Sequence, residues 1–412
     1  MSRPTSSRSS PAAPATDIHF PDPPQATVSA VVFSPTPASS TTDVLASSWD
    51  HNVHHYRIDT ASPTSSEAIR KVQTFAHEAP VLDVCFITDT LAASASVDRR
   101  VRLLDLATGK ALIVGKHDDS VLKVRWCAAT KMLISGSADR SVCFWDAGLD
   151  GAPALLKRLE MPDKVLAMDV SPPFPATGTQ PVHSASRPGS PHARDDTPRL
   201  VVAMAGRHVY VYDLLPLRSA IERALAAQPV PARDWQPDQR RESSLKFMAR
   251  DLRCMAAGDG YAMSSIEGRI AVEFFDPSTR TQAMKYAFKC HRATVAGDAV
   301  DDDDEMDRPY DVVFPVHAVA FHPRHGTFAS LGGDAVVSVW DAAAKKRIRQ
   351  YPKFDAPVTA GCFDAAGALL CLATGSDAVQ PDARVATSLI LKPGAWDECQ
   401  PKLKSKSGSG KK

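Results

Sequence analysis

The sequence lacks the signals that identify several common classes of protein. Its eight cysteines are scattered singly without a Cys-x-x-Cys pair, and no cluster of Cys and His has the spacing of a zinc site. No apolar run approaches the ~18 residues of a membrane-spanning helix. Residues 1–16 contain no apolar core of the kind a signal peptide needs. We therefore expect buried, reduced thiols in a protein of the nucleus or cytoplasm.

An excess of charge of either sign is also missing. The 412 residues include 48 Lys and Arg against 47 Asp and Glu, a formal net charge of +1. This balance provides no global field that would steer the chain to nucleic acid or to a membrane, so any electrostatic function has to come from a local patch. Proline is abundant, at 32 residues, and it is concentrated in the first 35 residues and in the segments 171–198 and 216–237.

Helical periodicity is nearly absent, and a repeat takes its place. The segment SSWDHNVHHYRID at 47–59 has later counterparts in SGSADRSVCFWD at 135–146 and SLGGDAVVSVWD at 330–341. Each combines small residues and an Asp with a run whose apolar residues alternate, which is typical of β-strands joined by turns. Only 215–228 has a helical pattern, and we expect one short helix there.

The repeat recurs at intervals of roughly 40–50 residues where loops are short, the spacing of WD40 propeller blades. The seven segments are 28–58, 81–106, 121–146, 164–214, 252–276, 316–341 and 358–392. A single four-stranded sheet cannot bury both faces, whereas blades arranged in a ring cover each other and protect their edges. The last blade lacks an outer strand, which residues 17–20 could supply.

We therefore predict an all-β fold, a seven-bladed WD40 β-propeller with disordered insertions and tails. The expected parts are a disordered tail at 1–16, a propeller at 17–394 and a basic flexible tail at 395–412. Three insertions are expected near 172–199, 214–238 and 295–309. The first is rich in Pro, Ser and Gly and should be disordered, whereas the third carries an acidic run and should be a solvated loop.

A buried hydrogen-bonded tetrad explains the Trp-Asp pair in the third blade. His117, Ser135, Asp139 and Trp145 occupy the positions of the network familiar from WD40 blades, in which buried polar groups satisfy each other. The sixth blade offers an equivalent set in His291, Ser330, Asp334 and Trp340. A hydrolase triad is the alternative interpretation, but recurrence by blade favours packing. We expect no catalytic residues, no cofactor and no metal.

Trp49 differs from the other repeat tryptophans because it precedes Asp50 in the turn. A side chain in the turn between the second and third strands should reach the upper face of the propeller. Aromatic side chains at exposed concave positions are preferred anchors for partners. Ordinary loop packing is the alternative role for Trp49.

Three further stretches are more specific than the WD40 pattern: QRRESSLKF at 239–247, SSIEGRIAVEFFDPS at 264–278 and KYAFKCHR at 285–292. They closely resemble the spindle-assembly checkpoint propeller family called "budding uninhibited by benzimidazole three". The sister family, the messenger-RNA export propeller of the nuclear pore, shares the QRRES, IEGR and FKCHR elements. Members of this sister family generally lack the AVEFFDPS and KYAF sequences. The resemblance to the checkpoint family covers most of 17–392.

This resemblance implies a scaffold without enzymatic activity, located in the nucleus and at kinetochores in mitosis. Members bind a GLEBS-type motif in the checkpoint kinase and in its pseudokinase or adaptor relative. They also bind phosphorylated Met-Glu-Leu-Thr repeats of the kinetochore scaffold and contribute to the inhibitor complex of the anaphase-promoting complex. No small-molecule substrate and no membrane is implied, and nucleic acid is not expected.

Four residues are the candidate peptide-binding set. By resemblance, Arg269 in IEGR matches the position that binds GLEBS carboxylates, and Arg292 in KCHR matches the position for the phosphate. Arg207 lies at the equivalent turn of blade four and would extend the patch, while Trp49 would add an aromatic contact. Arginine suits both ligands because its planar fork matches carboxylate and phosphate oxygens. A solvated surface charge is the alternative for each arginine.

The sequence is compatible with several alternatives. The basic run 345–349 suits either a solvated turn or, as in the export relative, nucleic acid. The export function itself is the runner-up, and a generic assembly scaffold is a further option, since a fold alone does not determine function. Ala138 stands where family members usually have a Trp, so one aromatic contact to the peptide would be missing or supplied from elsewhere.

Overall fold

The computed structural model describes residues 16–36, 40–61, 63, 65–172, 195–295, 309–376 and 385–401. Seven four-stranded antiparallel sheets and one two-stranded sheet make up the β-structure of these residues. The innermost strands of consecutive blades contact each other all the way round, and the innermost strand of blade 7 contacts that of blade 1. The architecture is a closed seven-bladed propeller, as the repeat predicts.

In each blade the first strand lies at the central channel of the ring and the fourth strand lies at the outer rim. Blade 1 contains Val28–Phe33, Thr41–Ser48, Asn52–Asp59 and Ile69–Ala76. Blade 2 contains Val81–Phe86, Leu91–Ser96, Arg100–Asp105 and Ala111–Lys116. Blade 3 contains Val121–Cys127, Met132–Ser137, Ser141–Asp146 and Ala154–Glu160. Blade 4 contains Val165–Ser171, Arg199–Met204, His208–Asp213 and Gln239–Glu242.

The remaining three blades complete the ring. Blade 5 contains Ala249–Cys254, Gly260–Ser265, Arg269–Phe274 and Tyr286–Lys289. Blade 6 contains Val316–Phe321, Thr327–Gly332, Val337–Asp341 and Lys346–Gln350. Blade 7 contains Val358–Phe363, Leu369–Thr374, Ser388–Pro393 and Ile18–His19. The two-stranded sheet pairs Arg292–Val295 with Tyr310–Val313.

The N-terminal part of the chain closes the ring. Ile18 pairs with Leu391 and His19 with Ile390, so the outer strand of blade 7 comes from residues that precede blade 1. An ion pair between Lys392 and Asp17 supports the same junction. This pairing covers the edge that blade 7 would otherwise expose, and it joins residues from the two ends of the chain in one blade.

The core is divided among the seven blade interfaces. Each of seven buried apolar clusters contains residues from two neighbouring blades, the cluster of Phe144, Leu159, Met168 and Leu200 between blades 3 and 4 being an example. Alternating strand residues point to opposite faces of a sheet, so one blade contributes to two clusters. All eight cysteines are free, and seven of them are buried.

Buried charges connect the innermost strands of blades 2, 3 and 4. Arg125 on the innermost strand of blade 3 lies between Asp83 of blade 2, at 2.5 Å from Nη1, and Asp169 of blade 4, at 2.9 Å from Nε. Burial by itself lowers the pKa of a guanidinium, but these two carboxylates hold the pKa of Arg125 above its ordinary value. Asp83 also accepts the Val124 N–H, and Asp169 accepts the Cys254 N–H, so the carboxylates connect neighbouring blades.

The insertion at 214–238 is ordered, and it contains the helix that the sequence predicts. Helix α1, Leu214–Leu225, begins at the side chain of Asp213, which accepts the Leu215 N–H. Its buried face, including Leu217 and Ile221, packs against blades 3 and 4. The short helices are Thr279–Gln282, Ala395–Glu398 and the 3-10 turns Ser66–Ala68, Ala205–Arg207 and Ala232–Trp235.

The structure corrects two of the expected boundaries. The predicted tail at 395–412 begins too early, because Ala395 and Cys399 are fully buried in the core of blades 6 and 7. The first insertion ends earlier than 199, since the Asp195 N–H donates to Ala257 and Asp195 pairs with Arg199. The ladder of Arg292–Val295 with Tyr310–Val313 flanks the third insertion. Residues 1–15, 173–194, 296–308 and 402–412 lie outside the described residues.

In the described part of the chain, no helix has both the length and the apolar character needed to cross a membrane. Across the same residues, no group of three or more His, Cys, Asp or Glu is arranged to hold a metal ion.

Candidate functional site

The tetrad residues form one hydrogen-bonded network in blade 3. His117 Nε2 lies 2.7 Å from Ser135 Oγ, and its Nδ1 lies 3.0 Å from the Asp139 carboxylate. The Trp145 indole N–H donates to the same Ser135 oxygen at 2.8 Å. Blade 6 repeats the arrangement: His291 lies 2.8 Å from both Asp334 and Ser330, and the Trp340 indole donates to Ser330. His291 is therefore the tetrad histidine of blade 6.

Burial determines what the blade 3 network can do. It lowers the pKa of His117, although the neighbouring Asp139 carboxylate acts in the opposite direction. Ser135 has no exposed surface, and its oxygen already receives the indole N–H. A nucleophile needs access to a substrate, so this serine is placed for packing and for satisfying buried polar groups.

We expect Ser135→Ala to lower the free energy of unfolding by about 1–3 kcal/mol, because His117 and Trp145 would each keep a buried polar group without a partner. Chemical denaturation monitored by fluorescence measures the change. Ser219→Ala on the exposed face of α1 is the matched control and should be neutral. An equal effect of both substitutions would contradict the role of the network.

Chain topology places all four candidate peptide-binding residues on one face. Because the strands of a blade alternate in direction, turns between second and third strands share a face with the connections from one blade to the next. Trp49, Arg207 and Arg269 belong to such turns or to the strand start after them, and Arg292 lies in the connection from blade 5 to blade 6. We call this the upper face.

Arg269 and Arg292 meet at Glu267. Arg269 Nε lies 3.2 Å from one Glu267 carboxylate oxygen, and Arg292 Nη2 lies 3.8 Å from the other. The same Nη2 donates to the Glu267 backbone carbonyl at 3.1 Å. Two guanidinium groups thus share one carboxylate, which leaves the cluster with a net positive charge.

Gly268 allows these arginines to approach each other. Its φ is +60°, and an added Cβ would lie 2.6 Å from the Cys290 carbonyl oxygen and 3.0 Å from that of His291. Only glycine fits such a left-handed turn against another backbone. The IEGR and KCHR stretches are therefore in direct contact, which explains why the sequence needs glycine between Glu267 and Arg269.

Both arginines retain hydrogen-bonding capacity. The Nε atom of Arg292 is buried and has no hydrogen-bond partner among the described residues, whereas the Nε atom of Arg269 faces the Glu267 carboxylate at 3.2 Å without the alignment of a hydrogen bond. The side chain of Arg269 is 35% exposed and that of Arg292 is 17% exposed. Buried donors without partners are rare in proteins, so this pair is suited to receiving an additional acceptor such as a carboxylate or phosphate.

Arg207 and Trp49 lie apart from this pair. Arg207 donates to the Ser243 carbonyl at 2.7 Å and pairs with Glu242 at the same distance, in the turn of the neighbouring blade 4. Trp49 is half-buried in blade 1, on the far side of the ring from blade 5. Asp50 fixes its turn by accepting the Gln25 N–H. The upper face thus carries one arginine cluster and a separate indole.

Sequence reasoning missed an apolar patch beside Arg207. Phe247, Met248 and Ile266 are 50%, 51% and 36% exposed, and the Ile266 N–H donates to Met248. Lys246 and Arg207 lie with Phe247 and Met248 around a pocket of about 320 Å³. The sequence signal for this patch was the apolar pair Phe247 and Met248, directly after Lys246. In the structure this pair lies in the connection between blades 4 and 5, which crosses the upper face.

The basic run at 345–349 is largely engaged by side chains of blades 5 and 6 and of the short helix Ala395–Glu398. Lys345 lies 4.5 Å from the Tyr286 ring centre, and Arg347 lies 6.0 Å from that of Trp340. Arg349 donates to Glu398 at 2.6 Å. The turn at Lys345 lies on the face opposite the arginine cluster, and 346–349 belong to the outer strand of the blade, which favours the structural alternative.

The comparisons with known proteins agree with the geometry. The WD domain, G-beta repeat model matches residues 110–146, which include the tetrad of blade 3. The chain is 38% identical to the mitotic checkpoint protein BUB3.1 of Arabidopsis thaliana over 86% of this chain and 85% of that protein. It is 31% identical to the mitotic checkpoint protein bub3 of Dictyostelium discoideum, over 85% and 86% of the two chains.

Export proteins also match, at lower identity. The poly(A)+ RNA export protein of Schizosaccharomyces pombe is 29% identical over 94% of this chain and 93% of its own length. Both groups were expected from the QRRES, IEGR and FKCHR stretches, and the higher identities lie on the checkpoint side. The chain therefore belongs to the BUB3 family of mitotic checkpoint WD40 propellers.

Proposed function

We propose that this propeller is a non-enzymatic scaffold of the spindle-assembly checkpoint that binds acidic linear peptides on its upper face. The observation that carries the proposal is the pair of arginines that share the single carboxylate of Glu267, with the buried Arg292 Nε left without a hydrogen-bond partner among the described residues. A rigid ring of sheets holds this pair in place before a ligand arrives, which reduces the entropic cost of binding.

Two ligands fit the cluster chemically. A GLEBS-type motif contributes adjacent carboxylates, which a guanidinium binds through parallel hydrogen bonds. A phosphorylated Met-Glu-Leu-Thr repeat contributes about −1.5 to −2 charges and three acceptor oxygens on its phosphothreonine. We assign the carboxylates to Arg269 and the phosphate to Arg292, and we infer that Glu267 is displaced or shared when a ligand binds.

The apolar patch supplies the second half of recognition. Phe247, Met248 and Ile266 are exposed beside Arg207 on the same face. Amphipathic acidic peptides need both a cation and an apolar contact, and methionine and aromatic side chains are frequent in such interfaces. This patch would replace the aromatic contact that Ala138 cannot make, while Trp49 would bind a more distant part of a long motif.

The proposed partners follow from this assignment. They are the checkpoint kinase and its pseudokinase or adaptor relative, bound through GLEBS motifs, and the phosphorylated kinetochore scaffold. Through them the protein would act in the nucleus, reach kinetochores in mitosis and enter the inhibitor complex of the anaphase-promoting complex.

Peptide binding tests the proposal directly. We expect the full chain to bind a phosphorylated Met-Glu-Leu-Thr peptide at least about tenfold more tightly than the unphosphorylated peptide, since hydrogen bonds to charged groups contribute about 1.5–3 kcal/mol. Isothermal titration calorimetry at two salt concentrations gives both affinities. Equal affinities would overturn the phosphate assignment, and failure of a GLEBS peptide to bind would overturn the scaffold function.

The messenger-RNA export function is the second candidate, because export proteins are among the relatives. It would require salt-dependent binding of single-stranded RNA by a basic surface. The net charge of +1 and the engaged side chains of Lys345, Arg347 and Arg349 favour the checkpoint function. Filter binding of a poly(A) probe at two salt concentrations separates the two candidates.

A further inference from the structure

The outer strand of blade 2 has an unusual surface. Ala111–Lys116 presents Leu112 and Ile113 at 54% and 50% exposure, although both are large aliphatic side chains. Successive residues of a strand point to opposite faces, so this edge is apolar on both faces. Leu155, 49% exposed, lies near the start of the outer strand of blade 3, which contacts this strand.

The other outer strands are protected in ways that this one is not. Five of them carry lysine or arginine within the strand: Ile69–Ala76, Ala154–Glu160, Gln239–Glu242, Tyr286–Lys289 and Lys346–Gln350. In Tyr286–Lys289 the Phe288 ring packs on Trp340 at 4.6 Å, and the outer strand of blade 7 has only two residues. Charges, coverage and short length are the usual means of blocking edge pairing. The first five residues of Ala111–Lys116 have none of these.

The inner side of the same strand is firmly held. Val114 packs into the core between blades 2 and 3, and a Cβ on Gly115 would lie 2.2 Å from the Trp145 ring. The register with the third strand shifts between Val101 and Arg102, so Val114 is the extra residue of a bulge. The exposed part that can pair is therefore Ala111–Ile113, and the bulge ends it at a defined point.

Charge at the two ends of the strand indicates the kind of occupant. Lys110 and Lys116 are exposed, and among the described residues neither forms an ion pair. A second copy of this chain, paired antiparallel through the same strand, would bring Lys110 of one copy near Lys116 of the other. Like charges placed opposite each other are destabilising, whereas acidic residues at both ends of a partner strand would be attracted.

We propose that Ala111–Ile113 is a docking edge for an extended partner segment in which a few apolar residues stand between acidic residues. The segment adds a strand outside blade 2, with its apolar side chains on Leu112 and Ile113 and its carboxylates near Lys110 and Lys116. Addition of a strand to an exposed edge is a general mode of peptide recognition. This surface is on the rim of the ring and does not depend on the proposed upper-face function.

Synthetic peptides test the proposal on the full chain. The probes are fluorescein-labelled Glu-Glu-Val-Ile-Val-Glu-Glu, its counterpart with lysine in place of glutamate, and the acidic peptide N-methylated at the central residue. We expect the acidic probe to bind at least about tenfold more tightly than either of the other two in fluorescence anisotropy. Ile113→Lys should weaken its binding at least about tenfold, whereas Leu225→Lys, at a residue 60% exposed on α1, should not change it.

Each other result counts against the docking edge. Equal affinities for the acidic and basic probes would show that Lys110 and Lys116 do not select an acidic partner. Absence of binding of the acidic probe at ~1 mM would show that the strand is not a docking edge. Equal effects of Ile113→Lys and Leu225→Lys would show a non-specific apolar contact. A dimer in sedimentation that Ile113→Lys dissolves would assign the edge to a second copy of the chain. Thermal unfolding of both variants verifies that they remain folded.

Discussion

Arg292→Ala should lower the affinity for a phosphorylated Met-Glu-Leu-Thr peptide by about 10–100-fold, which corresponds to the loss of hydrogen bonds to a charged group. Binding of the unphosphorylated peptide should not change, because Arg292 is assigned to the phosphate and to no other part of the peptide. Arg269→Ala should instead weaken binding of a GLEBS peptide by a similar factor. Calorimetric titration of both variants with the phosphorylated, unphosphorylated and GLEBS peptides measures whether each substitution weakens only one ligand.

The structure supplies sharp controls for these substitutions. Arg292→Lys keeps the charge but not the planar fork, so we expect it to recover only part of the affinity. Arg233→Ala removes an arginine that is 88% exposed beside α1, and it should have no effect on any peptide. If Arg292→Ala and Arg269→Ala weaken both ligands equally, Glu267 and its two arginines act as one undivided site and the separate assignments are wrong.

Arg125→Met should lower the free energy of unfolding by about 3–5 kcal/mol, as expected when one partner of a buried ion pair is removed. The substitution leaves Asp83 and Asp169 buried without their shared cation. It also removes the link between blades 2, 3 and 4 at the channel. Urea denaturation with circular dichroism measures the change.

A compensating variant distinguishes charge from packing. In the triple variant Arg125→Met, Asp83→Asn and Asp169→Asn the three charges are gone, while the amide oxygens can still accept the Val124 and Cys254 N–H groups. We expect it to be more stable than Arg125→Met alone. A triple variant that is no more stable would mean that the size and shape of Arg125, and not its charge, determine the effect.

Much of the fold could be predicted from the sequence because blade structure is local. The alternation of apolar residues in 132–146 and 327–341 defines adjacent antiparallel strands, and the tetrad residues lie at fixed spacings around them. The lack of an outer strand in blade 7 and the apolar residues in 17–20 were enough to predict how the ring closes. The clearest error came at 395–401, where a short helix with few local signals is held by buried contacts of Ala395 and Cys399.

The candidate site was only partly readable. Arg269 and Arg292 could be identified by resemblance, but nothing in the sequence indicates that Glu267 lies between them or that the buried Arg292 Nε lacks a hydrogen-bond partner among the described residues. Phe247, Met248 and Ile266 are ordinary apolar residues in the sequence, and their exposure is evident only in the folded chain. Buried Arg125 was missed for the same reason, since its two carboxylates belong to other blades.

The sequence by itself determined the repeat, the number of blades and the internal network of each, because these depend on residues that are close along the chain. The tertiary structure decided which charges meet, which apolar residues stay exposed and which edge remains open. Those properties depend on contacts between blades and connections that are distant in sequence. Ring closure brings these parts together, and the periodic pattern of the sequence does not specify the distances between them.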